Sequence, residues 1–194
     1  MHSPHESQRR DELVRLVQTS PWFMSALCTV QALHLKSWCI GAGAVRNLVW
    51  DHLHGYKNPS KLPDVDLAYF DPSAQPLQDD AFQNILQTRE PAIPWEVTNQ
   101  AFVHTWFERY FGHAVEPLHS LEEAIATWPE YATCVGVTLG HQGHVEVIAP
   151  HGLEDLFAMR IQHNPTRVSV ETFRDRVEKK QYMTRWPLAT ILWS

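Results

Sequence analysis

At 194 residues, with 44% hydrophobic and 20% charged side chains, the chain has the balance of an ordinary globular domain with ample material for a core. A net charge of −6 excludes a general nucleic-acid binder, which needs a basic surface. No run of 18 apolar residues occurs and the start, MHSPHESQRRDE, has no apolar segment of signal-peptide type, so neither a membrane helix nor a leader is expected.

The N-terminal part, residues 1–36, reads as two helices. The first spans 7–20, with Leu13, Leu16 and Val17 on one face. The second starts at Ser20-Pro21, an N-cap followed by proline at the first helical position, and runs to about Leu35. A core over 37–158 follows. Trp38–Ile40 is a short strand entering Gly41-Ala42-Gly43, and Val45, Leu48 and Val49 then mark a helix to Leu53. A strand, a small-residue turn and a helix N-terminus leave backbone N–H groups and a positive dipole end where a phosphate can sit. Arg46, one turn into that helix, adds a planar donor fork beside Asn47.

After a polar turn over 55–63, Asp64 and Asp66 open a strand that ends at Phe70. At i and i+2 their carboxylates share one face. Each raises the other's pKa unless a cation intervenes, and an oxygen-liganded ion such as Mg²⁺ or Mn²⁺ suits the pair. Residues 78–89 read as a helix with Phe82, Ile85 and Leu86 inward, Trp95–Thr98 as a strand, and Asn99–Phe111 as a helix. On that helix Gln100 and His104 share a face and can line a pocket, while Asn99 is either a pocket residue or an N-cap. A short helix over 121–127 precedes two strand-like runs, 132–139 and 144–148, joined by Gly140-His141-Gln142-Gly143, a hairpin signal. Residues 152–159 read as a short helix. The C-terminal segment, 159–194, holds a polar helix over 172–185 and an apolar tail, Leu188–Trp193, expected to dock on the core.

Between Arg160 and Arg185 stand seven basic and three acidic side chains, while the remainder carries nine basic and nineteen acidic. Such a segment either faces phosphates or is a solvated helix face. Cys28, Cys39 and Cys134 are widely spaced, odd in number and without zinc spacing, which suits free thiols in a cytoplasmic protein. The twelve histidines offer no metal set either: His52 and His54 point to different sides of a helix, and His141 and His144 lie in a turn with no third ligand nearby. Mixed helices and strands in this order give an α/β (α+β) domain with a mixed sheet covered by helices on at least one face.

Five blocks in order, GAGAVRNLVWD, DVDLAYFD, WEVTNQAFVHTW, WPEYATCVGV and IAPHGLEDLF, resemble a family of small bacterial nucleotidyltransferase-like proteins within the DNA polymerase β-type superfamily. They cover about residues 38 to 158. The resemblance implies a small mixed sheet with Asp64 and Asp66 on a central strand, holding Mg²⁺ (or Mn²⁺). It implies Gly41, Ala42, Gly43, Arg46 and Asn47 as the nucleotide-binding turn and helix start, and transfer of a nucleoside monophosphate from an NTP to an acceptor with release of pyrophosphate. The superfamily turn usually carries Gly-Gly or Gly-Ser, so Ala42 removes a hydroxyl contact to phosphate. Enzymes of this type commonly have a third carboxylate on a neighbouring strand, for which Glu146, between Val145 and Val147, is the best positional match. Its other reading is a solvent-facing residue of an edge strand. Asp155 is the runner-up, although it suits a first-turn helix acid. Arg46 either meets the triphosphate or pairs with a carboxylate such as Asp51. Two other readings share the pocket: a non-catalytic nucleotide-binding module and a metal phosphodiesterase.

Overall fold

The computed structural model describes residues 3–193, the side chain of His141 excepted. Helices α1 (Pro4–Gln18) and α2 (Pro21–Gln31) come first. Ser3 caps α1, its hydroxyl accepting from the Glu6 N–H at 3.2 Å, with Pro4 at the first helical position, so α1 starts earlier than residue 7. Helix α2 stops short of Leu35, and His34 takes a positive φ of 56° beyond it. Strand β1 (Trp38–Gly41), helix α3 (Gly43–Leu53), strand β2 (Val65–Tyr69), helix α4 (Gln78–Arg89) and strand β3 (Trp95–Asn99) follow. A single 3₁₀ turn, Gln100–Phe102, capped by Asn99, separates β3 from α5 (His104–Phe111), so the expected helix starting at Asn99 is broken into two pieces. Then come α6 (Leu121–Ala126), β4 (Gly136–Leu139), β5 (Val145–Ile148), α7 (Glu154–Phe157), β6 (Arg160–Gln162), α8 (Val170–Lys180), α9 (Tyr182–Arg185) and β7 (Thr190–Leu192).

Five strands form one sheet in the order β3-β2-β1-β4-β5. The β2–β3 pair is parallel and the others are antiparallel, which makes the sheet mixed. The Gly140–Gly143 segment turns β4 into β5, closed by the Gly140 N–H donating to the His144 carbonyl at 2.9 Å. On one face Ile40, Val65, Leu67, Tyr69 and Val137 pack with Leu13, Val17, Phe23, Leu27, Val45 and Val49 of the first three helices. Strand alternation sends Asp66 and Ala68 to the other face, where Cys39, Ile125 and Cys134 make a smaller cluster with Trp128 packed against it. That second face is only partly covered, and the cavity opens there.

Two further expectations need correction. Ile85 is 39% exposed and only Phe82 and Leu86 of α4 pack inward, because the helix lies at the sheet's β3 end and covers it with one narrow stripe. The C-terminal helix is interrupted at Gln181, whose left-handed backbone (φ 47°, ψ 47°) ends α8 and turns Tyr182 toward the core. The tail docks through β7, parallel to β6, with Ala189 buried, while Leu188 and Trp193 remain exposed.

Candidate active site

The turn between β1 and α3 is held tightly. A Cβ on Gly41 would lie 2.7 Å from the Trp128 ring and 2.9 Å from the Val135 carbonyl, so only glycine lets the strand and that indole approach. Ala42 stands at φ 49°, ψ −117°, a region suited to glycine. Its N–H donates to the Val135 carbonyl at 3.1 Å, and its carbonyl accepts from the Arg46 N–H at 3.0 Å. Those two bonds hold the strained residue in place. A Cβ on Gly43 would lie 3.7 Å from Arg46 Nη2 and 3.8 Å from Asp64 Oδ1, so the chain passes between a cation and an acid.

Three carboxylates line one wall of a cavity of about 260 Å³. Asp64 precedes β2, Asp66 lies within it, and Glu96 of β3 is the direct register partner of Asp66. Burial pushes the Asp66 carboxyl up to about 7, and the charges of Asp64 and Glu96 add to the rise; Lys180 and Arg176 pull the other way. Cations also line the cavity wall. Arg46 is only 5% exposed. Its guanidinium carbon lies 5.0, 5.3 and 5.7 Å from the ring centres of Tyr182, Trp186 and Trp50, an aromatic cage that holds the charge without neutralising it. Nη2 donates to Asn47 Oδ1 at 2.8 Å, while Nε finds no acceptor among the described residues. Arg176 and Lys180, one turn apart on α8, complete the wall. Behind them, Glu130, 2% exposed, takes Arg176 Nε at 3.0 Å and the Thr133 hydroxyl at 3.1 Å. Burial alone would raise its pKa, but Arg176, Arg46 and Thr133 hold it below the usual carboxylate range.

The residues picked from sequence sort cleanly. Ala42, Gly43, Arg46, Asp64, Asp66 and Gln100 line the cavity. Gly41 and Asn47 support it, through Trp128 and through Arg46. Asn99 is a cap: its side chain accepts from the Asp71 and Ala101 N–H groups and donates to the Asp71 carbonyl at 2.7 Å. His104 does not line the cavity. Asp51 does not pair with Arg46; it accepts from Ser60 and from Trp186 Nε1 at 2.8 Å. Asp155 pairs with Arg160 at 2.7 Å.

Glu146 is not brought to the aspartates. It lies on the edge strand β5, with β4 and β1 between it and β2, and it is 51% exposed beside His144 Nε2 at 2.9 Å. The expectation that its strand neighbours β2 therefore fails. That position belongs to β3 and Glu96. Glu96 carries the same local signal, an acid between Trp95 and Val97; only the strand order distinguishes the two.

A family description, nucleotidyltransferase, matches residues 28–191. The chain belongs to that nucleotidyltransferase family. The chain is similar to an NMR structure that reveals a CCA-adding enzyme head domain, with a TM-score of 0.82 and 26% identity, over 95% of this chain and 96% of that one. It also matches the fold of a tRNA-processing enzyme in an apo form, with a TM-score of 0.50 and 14% identity, over 99% of this chain and 45% of that one. No match was found among curated proteins. No helix among the described residues is long and apolar enough to cross a membrane.

Divalent metals are general to nucleotidyltransferases of this kind. No group of three or more His, Cys, Asp or Glu side chains is arranged as a metal site among the described residues. The donor set nonetheless fits a hard cation. Asp64, Asp66 and Glu96 offer only oxygens, and a divalent ion would favour the charged form of Asp66 that burial, with the charges of Asp64 and Glu96, disfavours. Sequence reasoning missed Glu96, Trp128, Glu130, Arg176 and Lys180. The i, i+4 spacing of Arg176 and Lys180 was a readable signal; the position of Glu130 behind them was not.

Proposed function

We propose that this protein is a Mg²⁺-dependent nucleotidyltransferase that moves a nucleoside monophosphate from an NTP to an acceptor and releases pyrophosphate. The observation that carries the reading is the lining of one cavity by three carboxylates and three cations, with Gly43 passing between Asp64 and Arg46. Asp64, Asp66 and Glu96 would hold the metal, which when bound neutralises charge on the attacking and leaving oxygens. The backbone N–H groups at the start of α3, with Arg46, Arg176 and Lys180, bind the triphosphate and stabilise the charge that builds on the leaving pyrophosphate. The acceptor oxygen forms a bond to the α-phosphorus as the bond from that phosphorus to the bridging oxygen breaks. Glu96, solvent-exposed beside Asp66, accepts the acceptor's proton. Positioning and charge neutralisation supply most of the rate in such a transfer.

The likeness to a CCA-adding enzyme head domain supports this class of chemistry. The absence of a hydroxyl at Ala42 favours the second reading, a module that binds NTP without turning it over. Free Cys28, Cys39 and Cys134 suit a cytoplasmic setting. We read residues 1–194 as one nucleotidyltransferase-like domain, with a helical part at 1–36, the core at 37–158 and the basic segment at 159–194. The deciding experiment incubates the protein with each α-labelled NTP, Mg²⁺ or Mn²⁺, and RNA and small-molecule fractions of a cell extract. Label transferred to an acceptor with pyrophosphate released supports the enzyme. NTP binding without any pyrophosphate supports the module, and NTP hydrolysis without an acceptor supports a phosphodiesterase.

A further inference from the structure

Glu130 does not line the cavity, yet it is linked to both arginines that do, to Arg176 directly and to Arg46 through Tyr182. It sits just before the turn Tyr131–Thr133, buried, with its strand-like backbone bridged to His163. Oε1 accepts from Arg176 Nε at 3.0 Å and from the Tyr182 hydroxyl at 3.3 Å. Oε2 accepts from the Thr133 hydroxyl at 3.1 Å and from Arg176 Nη2 at 3.5 Å. Tyr182 has one proton to give. Since Glu130 takes it, the hydroxyl oxygen accepts from Arg46 Nη1 at 3.5 Å. Burial pushes the Tyr182 hydroxyl up to about 12, and Glu130 adds to the rise, so the proton stays in place at neutral pH. One buried carboxylate thus fixes the guanidinium of Arg176 directly and that of Arg46 through a phenol.

We propose that Glu130 is a positioning residue: it orders Arg176 and Arg46 as a pair of anion-binding forks, so that the cavity takes a polyphosphate in one geometry. The inference rests on the NTP reading above. It makes a counter-intuitive demand. By charge alone, a carboxylate behind two arginines weakens anion binding, and its removal should tighten it. If Glu130 positions, its removal weakens binding, because a long side chain without its anchor loses order that the ligand must then restore.

The test titrates inorganic tripolyphosphate in EDTA, and separately each Mg²⁺–NTP, into wild type, Glu130→Gln, Arg176→Met and the double variant, with melting temperature measured alongside. Glu130→Gln is expected to weaken tripolyphosphate binding about tenfold, the scale of one charge-assisted hydrogen bond. Arg176→Met is expected to cost about tenfold in wild type and less than about twofold in the Glu130→Gln background, because the two act as a unit. Unchanged or tighter binding in Glu130→Gln, or fully additive losses, overturns the proposal while leaving the NTP reading intact. Wild type that binds neither tripolyphosphate nor any Mg²⁺–NTP overturns both. If Glu130→Gln does not fold, Tyr182→Phe keeps the ring over Arg46 and deletes only the link. It is expected to weaken tripolyphosphate binding about threefold, and not at all when Arg46 is replaced by Met; no weakening in Tyr182→Phe overturns the proposal.

Discussion

Asp66→Asn should stabilise the metal-free protein at pH 8 and do much less at pH 5. Asp66 has an ordinary carboxyl value of 3.8 and stands at about 7 in the fold. The native state therefore binds the proton more tightly than the unfolded chain does. Stability from this group is fully present below pH 3.8 and is lost as pH rises toward 7. A shift of that size, at about 1.4 kcal/mol per unit, caps the loss at about 4 kcal/mol. Asp66 keeps some exposure, so about 2–3 kcal/mol at pH 8 is the working expectation, or roughly 5–10 °C in melting temperature for a chain of this size. Asparagine has nearly the shape of the protonated acid and no charge, so the variant escapes the loss. Thermal melts in EDTA at pH 5 and pH 8 read this directly. Millimolar Mg²⁺ should then raise the melting temperature of the wild type at pH 8 and leave Asp66→Asn nearly unmoved, since the cation stabilises the buried charge that the variant lacks. An equal shift at both pH values would refute the electrostatic account. A wild type at pH 8 that ignores Mg²⁺ and Mn²⁺ would refute the metal site.

Glu96→Gln should leave NTP binding largely intact and cut product formation by about 10²-fold or more, the usual scale for a proton-transfer residue; full turnover would remove Glu96 from the chemistry, and Glu146→Gln should turn over normally. Arg46→Met should weaken Mg²⁺–NTP binding by about 1.5–3 kcal/mol in calorimetric titration; retained affinity with a lowered melting temperature would make Arg46 a packing residue only. Ala42→Gly should stabilise the fold by about 1 kcal/mol, read as a raised urea midpoint, because relief of the strained backbone outweighs the added chain entropy of glycine; a lower midpoint would mean that the φ of 49° costs little.

The fold was legible where one face of an element is apolar. Leu13, Leu16 and Val17 mark α1, and all three are buried. The alternation from Val65 to Tyr69 marks β2 and also assigns its faces. Element ends were less legible, because caps decide them. Ser3-Pro4 starts α1 in a stretch with no apolar pattern, and Gln181 ends α8 in a backbone conformation that its residue type does not announce. Ile85 misled because helical periodicity gives a stripe without giving its width; the sheet edge beneath α4 sets that.

The site was legible to the extent that its parts are close in the chain. The turn at Gly41–Gly43 and the pair Asp64 and Asp66 lie within one stretch of sequence, and local geometry is enough to bring them together. The third acid is a different problem. Glu96 and Glu146 each alternate with apolar neighbours on a strand, and nothing within either strand favours one over the other. The difference is the crossover. The chain leaves β2, passes through α4 and returns in β3 parallel to β2, a crossover that a helix permits but does not dictate, since α3 joins the antiparallel pair β1 and β2. Strand β5, by contrast, follows β4 through a tight hairpin and can only lie outside it. Parallel pairing through α4 puts residue 96 opposite residue 66; hairpin pairing puts residue 146 opposite Thr138, two strands further away. The pairing of the strands, rather than the acids themselves, is the feature that carries the answer.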